Sequence, residues 1–434
     1  MRRHIRSRKL SGVLPLAGLV AVLMAGHASA ESLQQAWDTA LAADRGLKAS
    51  RRNTAAAENL LEAAKSARLP NVTLEAGYTA LDNTPAVKAD FFGQSLQIPL
   101  SQKDSAAYKA MVALPLYTGG RIERSIDAAA ASLDAARLGE PIDMQNLKLR
   151  VAEAYVGVLR AGQILRVAES HVTSLNAHVR DVENLHAQGM AAKSDLLSAQ
   201  VSLADARQKA LQVANGLDLA RAAYCRLLGR PLDQAVALDE LSTIAVNGTL
   251  AALTERALGE RGELAALAKQ VEALRHQAAS VRGETAPQAA LSGGYGYQEN
   301  RYQVREGQWM ATLSVKWNLF DGGGVGHRAS AAEHQASALM EQREEVVSIV
   351  ALQVRQAWLG VQETHKRLDV TQSAIGQAEE NLRVVRDRYA NGLSTHTEVL
   401  DAETLRVASQ TNHANARYDV TLAELRLKRA VGGL

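Results

Sequence analysis

"LYTGG" (residues 116–120) returns 203 residues later as "LFDGG" (319–323), and "AQGM" (187–190) returns at the same spacing as "ANGL" (390–393). Everything between the corner and the later glycine is therefore duplicated without insertion. Such a period governs the fold ahead of local propensity, because each copy must build the same supersecondary unit. The fronts of the two halves align at a different step, "LPNVTLEAGY" (69–78) against "APQAALSGGY" (286–295), 217 residues on. The first half thus carries fourteen additional residues between its strand-like segments. They are expected in a loop containing "DNTPAVKADFFGQ" (82–94), since loops accept insertions most readily.

Each half reads helix, strand, loop, strand, long helix, turn, returning helix. The first repeat spans 31–229, with strands at about 70–81 and 106–118 and a turn near 189; "GRP" at Gly229 opens a linker over 230–249. The second spans 250–434, with strands at about 287–298 and 308–320 and a turn near 392. The strands alternate with period two: Val72, Leu74, Ala76 and Tyr78 oppose Asn71, Thr73, Glu75 and Gly77, and Trp309, Leu313 and Val315 oppose Met310, Thr312 and Ser314. Tyr295, Tyr297, Trp309 and Trp317 near the strand ends suit the aromatic girdles of a membrane barrel. A soluble, half-buried sheet would alternate equally well.

The segment after each corner is more restrictive. From Gly120 to Gly189 a continuous helix would be roughly 100 Å long, more than a compact domain can hold. Apolar or small residues recur there in heptads, from Met144, Leu147 and Val151 to Leu175, Val179 and Val182. The same register reappears 203 residues later, from Val347, Val350 and Val354 to Ala378, Leu382 and Val385. Such a repeat makes a left-handed supercoil. Pro141, which costs about 3 kcal/mol inside a helix, precedes the clean heptads.

Residues 1–30 read as an export signal: Arg2, Arg3, Arg6, Arg8 and Lys9, an apolar run, then "ASA" at 28–30. The whole chain has 49 Lys+Arg and 46 Asp+Glu; without the five leader cations, 44 stand against 46, and the case for nucleic acid disappears. Cys225 is the only cysteine and cannot close an internal disulfide, so it is expected as a buried helix residue. Beyond the leader there is no apolar run of the ~18 to 20 residues that a spanning helix needs, so insertion would require strands.

Four strands cannot close a barrel in lipid, because both open edges would expose unpaired N–H and C=O groups to hydrocarbon. Other copies must supply strands. Two copies would give a barrel filled by side chains, whereas three leave room for a wet lumen. The polar set Thr73, Glu75, Lys109, Thr312, Ser314 and Lys316 suits water, which favours three. The expected class is an α+β membrane protein: a long coiled-coil helical barrel joined to a transmembrane antiparallel β-barrel, four strands from each protomer of a homotrimer.

The leader, the twofold repeat, the paired corners and "RYANGLSTHTEVLDAE" (388–403) together resemble the TolC-type outer-membrane efflux proteins over essentially all of 31–434. The resemblance implies a homotrimer in the outer membrane of a Gram-negative bacterium, with helices crossing the periplasm. It further implies a passive exit duct of a tripartite efflux or type I secretion system, served by a periplasmic adaptor and an inner-membrane pump of RND or ABC type. Gly119, Gly120, Gly322 and Gly323 would turn each strand into its long helix.

By position, Asp195, Tyr389, Glu398 and Asp401 match the family's periplasmic gate, Glu398 and Asp401 giving rings of three carboxylates. Helix capping accounts equally for Asp195 and for Glu398, which with Thr395 has the pattern of a capping box, and seam packing accounts for Tyr389. Ser394 stands where the family often has a gate arginine; Lys193 or His396 could replace it. Gly189, Met190, Gly392, Leu393 and Ser394 are the expected adaptor-docking turns.

An enzyme is not expected. "DGGGVGH" at Asp321 lacks GxGxxG spacing and the returning parallel strand, and the histidines form no HExxH, so no cofactor or metal site is assigned. The alternative is a non-conducting periplasmic coiled-coil tether or scaffold, which shares the heptads but leaves the polar strand face unexplained.

Overall fold

The computed structural model describes residues 30–241 and 247–434. The expected leader, up to residue 29, and the middle of the expected linker lie outside the described residues. The first repeat contains α1 (Leu33–Ala43), α2 (Arg45–Ser66), β1 (Asn71–Ala80), β2 (Ala86–Phe91), β3 (Gln94–Pro99), β4 (Asp104–Tyr117), α3 (Arg121–Ala187) and α4 (Lys193–Leu227). The second contains α5 (Leu250–Glu260), α6 (Gly262–Arg282), β5 (Gln288–Gln298), β6 (Gly307–Lys316), α7 (Gly324–Ala390) and α8 (His396–Ala430).

Both long helices have 67 residues and both returning helices 35, with every boundary displaced by the same 203-residue period. The single leading helix expected in each half is instead two. Asp44 interrupts the first in extended geometry while its Oδ1 accepts the Leu47 N–H at 2.7 Å, restarting the chain as α2. Arg261, also extended, divides α5 from α6.

The shorter helices flank the rods. α2 and α4 pack on α3, while α6 and α8 pack on both α3 and α7. Every heptad position named above is buried or half-buried, Leu147, Val151, Val182, Val350 and Val354 among the most enclosed. Helix α1 lays Leu33, Ala36 and Ala40 on this seam of α3, and α5 applies Leu253 and Ala257 to Val350 and Val354 of α7. These collars anchor the middle of the rods. Cys225 is buried and unpaired in α4.

The main sheet is antiparallel in the order β1-β4-β5-β6, and among the described residues β1 and β6 are its open edges. Directly paired residues share a face. The register therefore aligns Leu74, Ala110, Tyr295 and Trp309 in one row and Val72, Val112, Gly293 and Ala311 in the next. Thr73, Glu75, Lys109, Thr312, Ser314 and Lys316 all fall on the opposite face. Apolar side chains lie open along the first face; Leu74, Trp309 and Leu313 are 78%, 81% and 67% exposed. A band of that extent signals an apolar environment or partner.

The fourteen additional residues do not form a loop. They make the hairpin β2–β3, closed by Phe92 (φ +50°) and Gly93 (φ +81°) between the paired Phe91 and Gln94. Two consecutive positive φ values make the tight turn that matches strand twist, and phenylalanine is not a residue that announces one. Strand β6 stops at Lys316, short of the expected 320; Trp317 instead donates its indole N–H to Thr285 O at 3.0 Å.

At the corners Gly119 and Gly120 have φ +63° and +81°, and Gly322 and Gly323 +70° and +84°. The residue before each pair starts the long helix: Thr118 Oγ1 accepts the Ile122 N–H, and Asp321 Oδ2 accepts that of Val325, 203 positions on. A Cβ on Gly119 would lie 2.3 Å from Ala286 Cβ and 2.7 Å from Gly283 O, whereas one on Gly120 meets nothing within 4 Å. Gly120→Ala should therefore cost about 1–2 kcal/mol from backbone strain, and Gly119→Ala a further ~1–3 kcal/mol from overpacking. Urea midpoints of the two variants check the order; equal midpoints would refute the close-approach account.

Candidate functional site

At the end of the rods farthest from the sheet, both turns close with the same hydrogen bonds. Met190 N–H donates to Leu185 O at 2.8 Å and Leu393 N–H to Arg388 O at 2.8 Å, spanning glycines with φ +77° and +70°. This wide-ring C-cap turns the chain within a few residues and directs the next side chain outward. Met190 and Leu393 are accordingly 65% and 68% exposed, one apolar knob on each hairpin.

Asp195 is half-buried in the first turn of α4, where its charge faces the positive helix end. Glu398 is exposed in the first turn of α8. Thr395 Oγ1 accepts the Glu398 N–H at 3.3 Å, as the expected capping box requires, and the Glu398 carboxylate accepts from the hydroxyls of Ser394 and Thr395. The Ser394 hydrogen bond leads in holding Glu398 below the usual carboxylate range, supported by Thr395. Ser394 thus occupies itself with Glu398. Asp401, three residues on, is exposed on the same face of α8.

Tyr389 does not stand clear of the helices. It packs half-buried against the apolar cluster that runs from Leu175, Val179 and Val182 of α3 to Ala199 and Leu203 of α4, with its ring centroid 5.5 Å from that of His178 and 6.4 Å from that of His396. Burial, then the negative charges of Asp195 and Asp181, push its hydroxyl pKa upward. His396, expected as a substitute for the gate arginine, is instead buried against His178; Lys193 remains exposed. The structure thus gathers Asp195, Tyr389 and His396 and leaves Glu398 and Asp401 outside.

One group escaped the sequence reading. Glu403 is fully buried and accepts hydrogen bonds from Ser174 of α3, Arg386 of α7 and Arg406 of α8, with His171 Nδ1 3.6 Å away. Burial alone would raise its pKa; the nearby His171 ring, the Ser174 hydrogen bond and the charges of Arg406 and Arg386 outweigh that and hold it at about 2. The signal was present in α8, where His396, Glu403 and Arg406 occupy the buried stripe with Val399 and Ala402. Polar residues in a seam mark a specified contact.

The profile of the family described as outer membrane efflux protein matches residues 36–230 and 253–433. The chain belongs to that family. Among its relatives, the outer membrane protein TolC of Vibrio cholerae serotype O1 is 24% identical over 415 residues, 93% of this chain and 91% of the relative. The alkaline protease secretion protein AprF of Pseudomonas aeruginosa is 24% identical over 302 residues, 67% of this chain and 62% of AprF. The outer-membrane channel OprN is similar in fold, with a TM-score of 0.78 at 22% identity over 93% of this chain and 90% of that one.

Proposed function

We propose that this outer membrane efflux protein is a passive exit duct, assembled as a homotrimer whose sheets close one β-barrel and whose rods form a tunnel below it. The observation that carries this reading is the sheet: two unpaired edges, one face of exposed apolar rows, one polar face, in a single register. Unpaired edges in lipid cost several kcal/mol per orphaned group, so further copies must pair with β1 and β6. Twelve strands from three copies leave a wet interior for the polar face. The test is planar-bilayer recording of the purified protein: discrete conductance steps are expected. A folded oligomer that conducts nothing would favour the tether, which no observation here supports.

The gate belongs to the same proposal. Glu398 and Asp401, exposed on one face of α8, would ring a narrow lumen, where carboxylates attract cations. Glu398→Ala combined with Asp401→Ala is expected to lower the cation preference of the single-channel current several-fold; unchanged reversal potentials in a salt gradient would remove the assignment. Asp195 and Tyr389 act beside this ring by holding hairpins together.

Met190 and Leu393, with Gly189, Gly392 and Ser394, form the surface proposed to receive a periplasmic adaptor, which joins the duct to an inner-membrane pump of RND or ABC type. Photocrosslinking from these two positions in cells identifies the adaptor. Transported cargo, whether for efflux or for type I secretion, follows from the pump attached, because a wide duct offers few selective contacts.

A further inference from the structure

His178 on α3 and His396 at the start of α8 are 3% and 6% exposed. Their rings are parallel within 7°, their centroids 5.1 Å apart, and His178 Nε2 meets His396 Nδ1 at 3.0 Å. One ring belongs to each hairpin, so this contact joins the two hairpins of a protomer near the tip. Among the described residues, His396 Nε2 is buried without a hydrogen-bond partner.

Facing nitrogens at this distance share one proton. Whichever ring donates, the other must offer its lone pair. A first extra proton settles on an outward nitrogen and leaves the bridge intact, at the cost of burying a charge. When both rings are cationic, N–H opposes N–H and charge opposes charge. We propose that His178 and His396 form a proton-released clasp between the two hairpins, closed while the pair carries at most one extra proton and opened by the next.

The surroundings set where this happens. Tyr389 of α7 lies against both rings; Arg386 of α7 and Glu403 of α8 act on His178, and Asp195 of α4 acts on His396. Asp181 of α3 bears on Tyr389. Burial, followed by the His396 and Arg386 charges, takes His178 from 6.5 down to about 4, against the opposing pull of Glu403. Burial also lowers His396, opposed by Asp195. The folded values lie below the unfolded one, so the clasp contributes fully above pH 6.5 and is lost as pH falls from there through about 4. Glu403, held at about 2, stays charged across that interval and does not produce the same response.

The functional consequence, an acid-loosened tip, rests on the proposed gate, but the clasp itself is testable apart from it. Hydrogen–deuterium exchange of the full-length oligomer is compared at about pH 7.5 and about pH 5, with labelling times scaled to intrinsic exchange. Residues 171–187 and 386–403 are expected to exchange on the order of tenfold faster in acid in the wild type. The response should disappear in H178Q/H396N, where neutral amides replace the rings. Equal exchange at both pH values in the wild type, or an undiminished response in the double variant, overturns the proposal. If the double variant fails to assemble, H396N alone must still weaken the response, since the remaining ring keeps its burial but has no cation to repel. Bilayer recordings at the same two pH values separate the readings: acid-promoted opening supports clasp and gate together. Faster exchange with unaltered conductance upholds the clasp and overturns its role in the gate.

Discussion

Glu403→Ala is expected to destabilise the tip by about 3–5 kcal/mol, the cost of removing one partner from a buried ion pair. Arg406 is nearly as enclosed as Glu403, with its side chain 10% exposed, and without the carboxylate its charge would remain buried and uncompensated. Arg386 and Ser174 lose their common acceptor in the same step. The loss should therefore spread to α3, α7 and α8 at this level. Exchange protection at 171–178 and 386–406 reads the effect locally, and a drop of less than about tenfold would show that the network contributes little. Glu403→Gln keeps the volume but not the charge and should still lose most of the stabilisation. The pH sense is the reverse of that of the histidine clasp. A carboxyl held at about 2 instead of 4.5 contributes above pH 4.5, and the contribution falls away as pH drops from there toward 2.

A second large effect is expected in the sheet, where adjacent residues should respond oppositely to the same substitution. Leu313 lies on the apolar face of β6, paired with Leu291, and Thr312 lies on the polar face beside Ser292. In the proposed barrel Leu313→Arg places a guanidinium against lipid, costing about 2–4 kcal/mol near the midplane. Thr312→Arg places it in the aqueous lumen, where it should leave assembly intact and shift ion selectivity toward anions. The yield of assembled oligomer from outer membranes, together with urea unfolding in lipid, compares the two. Equal tolerance at both positions would refute the assignment of faces and, with it, the membrane barrel.

Much of this architecture was legible because duplication and periodicity are properties of the chain itself. The 203-residue period fixed the equality of α3 with α7 and of α4 with α8, and alternation fixed which strand residues share a face. The β2–β3 hairpin was not legible, since its turn is made by Phe92 and Gly93, without the Asn-Gly or Asp-Gly signal of such turns. The breaks at Asp44 and Arg261 were also missed: helical periodicity continues on both sides, and only the docking of α1 and α5 across the rods requires the chain to bend there.

The tip shows the same division. Asp195, Tyr389, Glu398 and Asp401 were assigned by position, but His396 was read, with Lys193, only as a substitute for the gate arginine, and Glu403 only as the end of a family motif. The sequence by itself determined the repeat, the rods, the strand faces and the glycine corners, because each depends on spacing along one chain. Only the tertiary structure decided that His178 would meet His396, and that Glu403 would collect donors from three helices. Those contacts join residues 218 and 229 positions apart in the chain. They arise from the rotation and stagger of α3 against α8, which no pattern within either helix encodes.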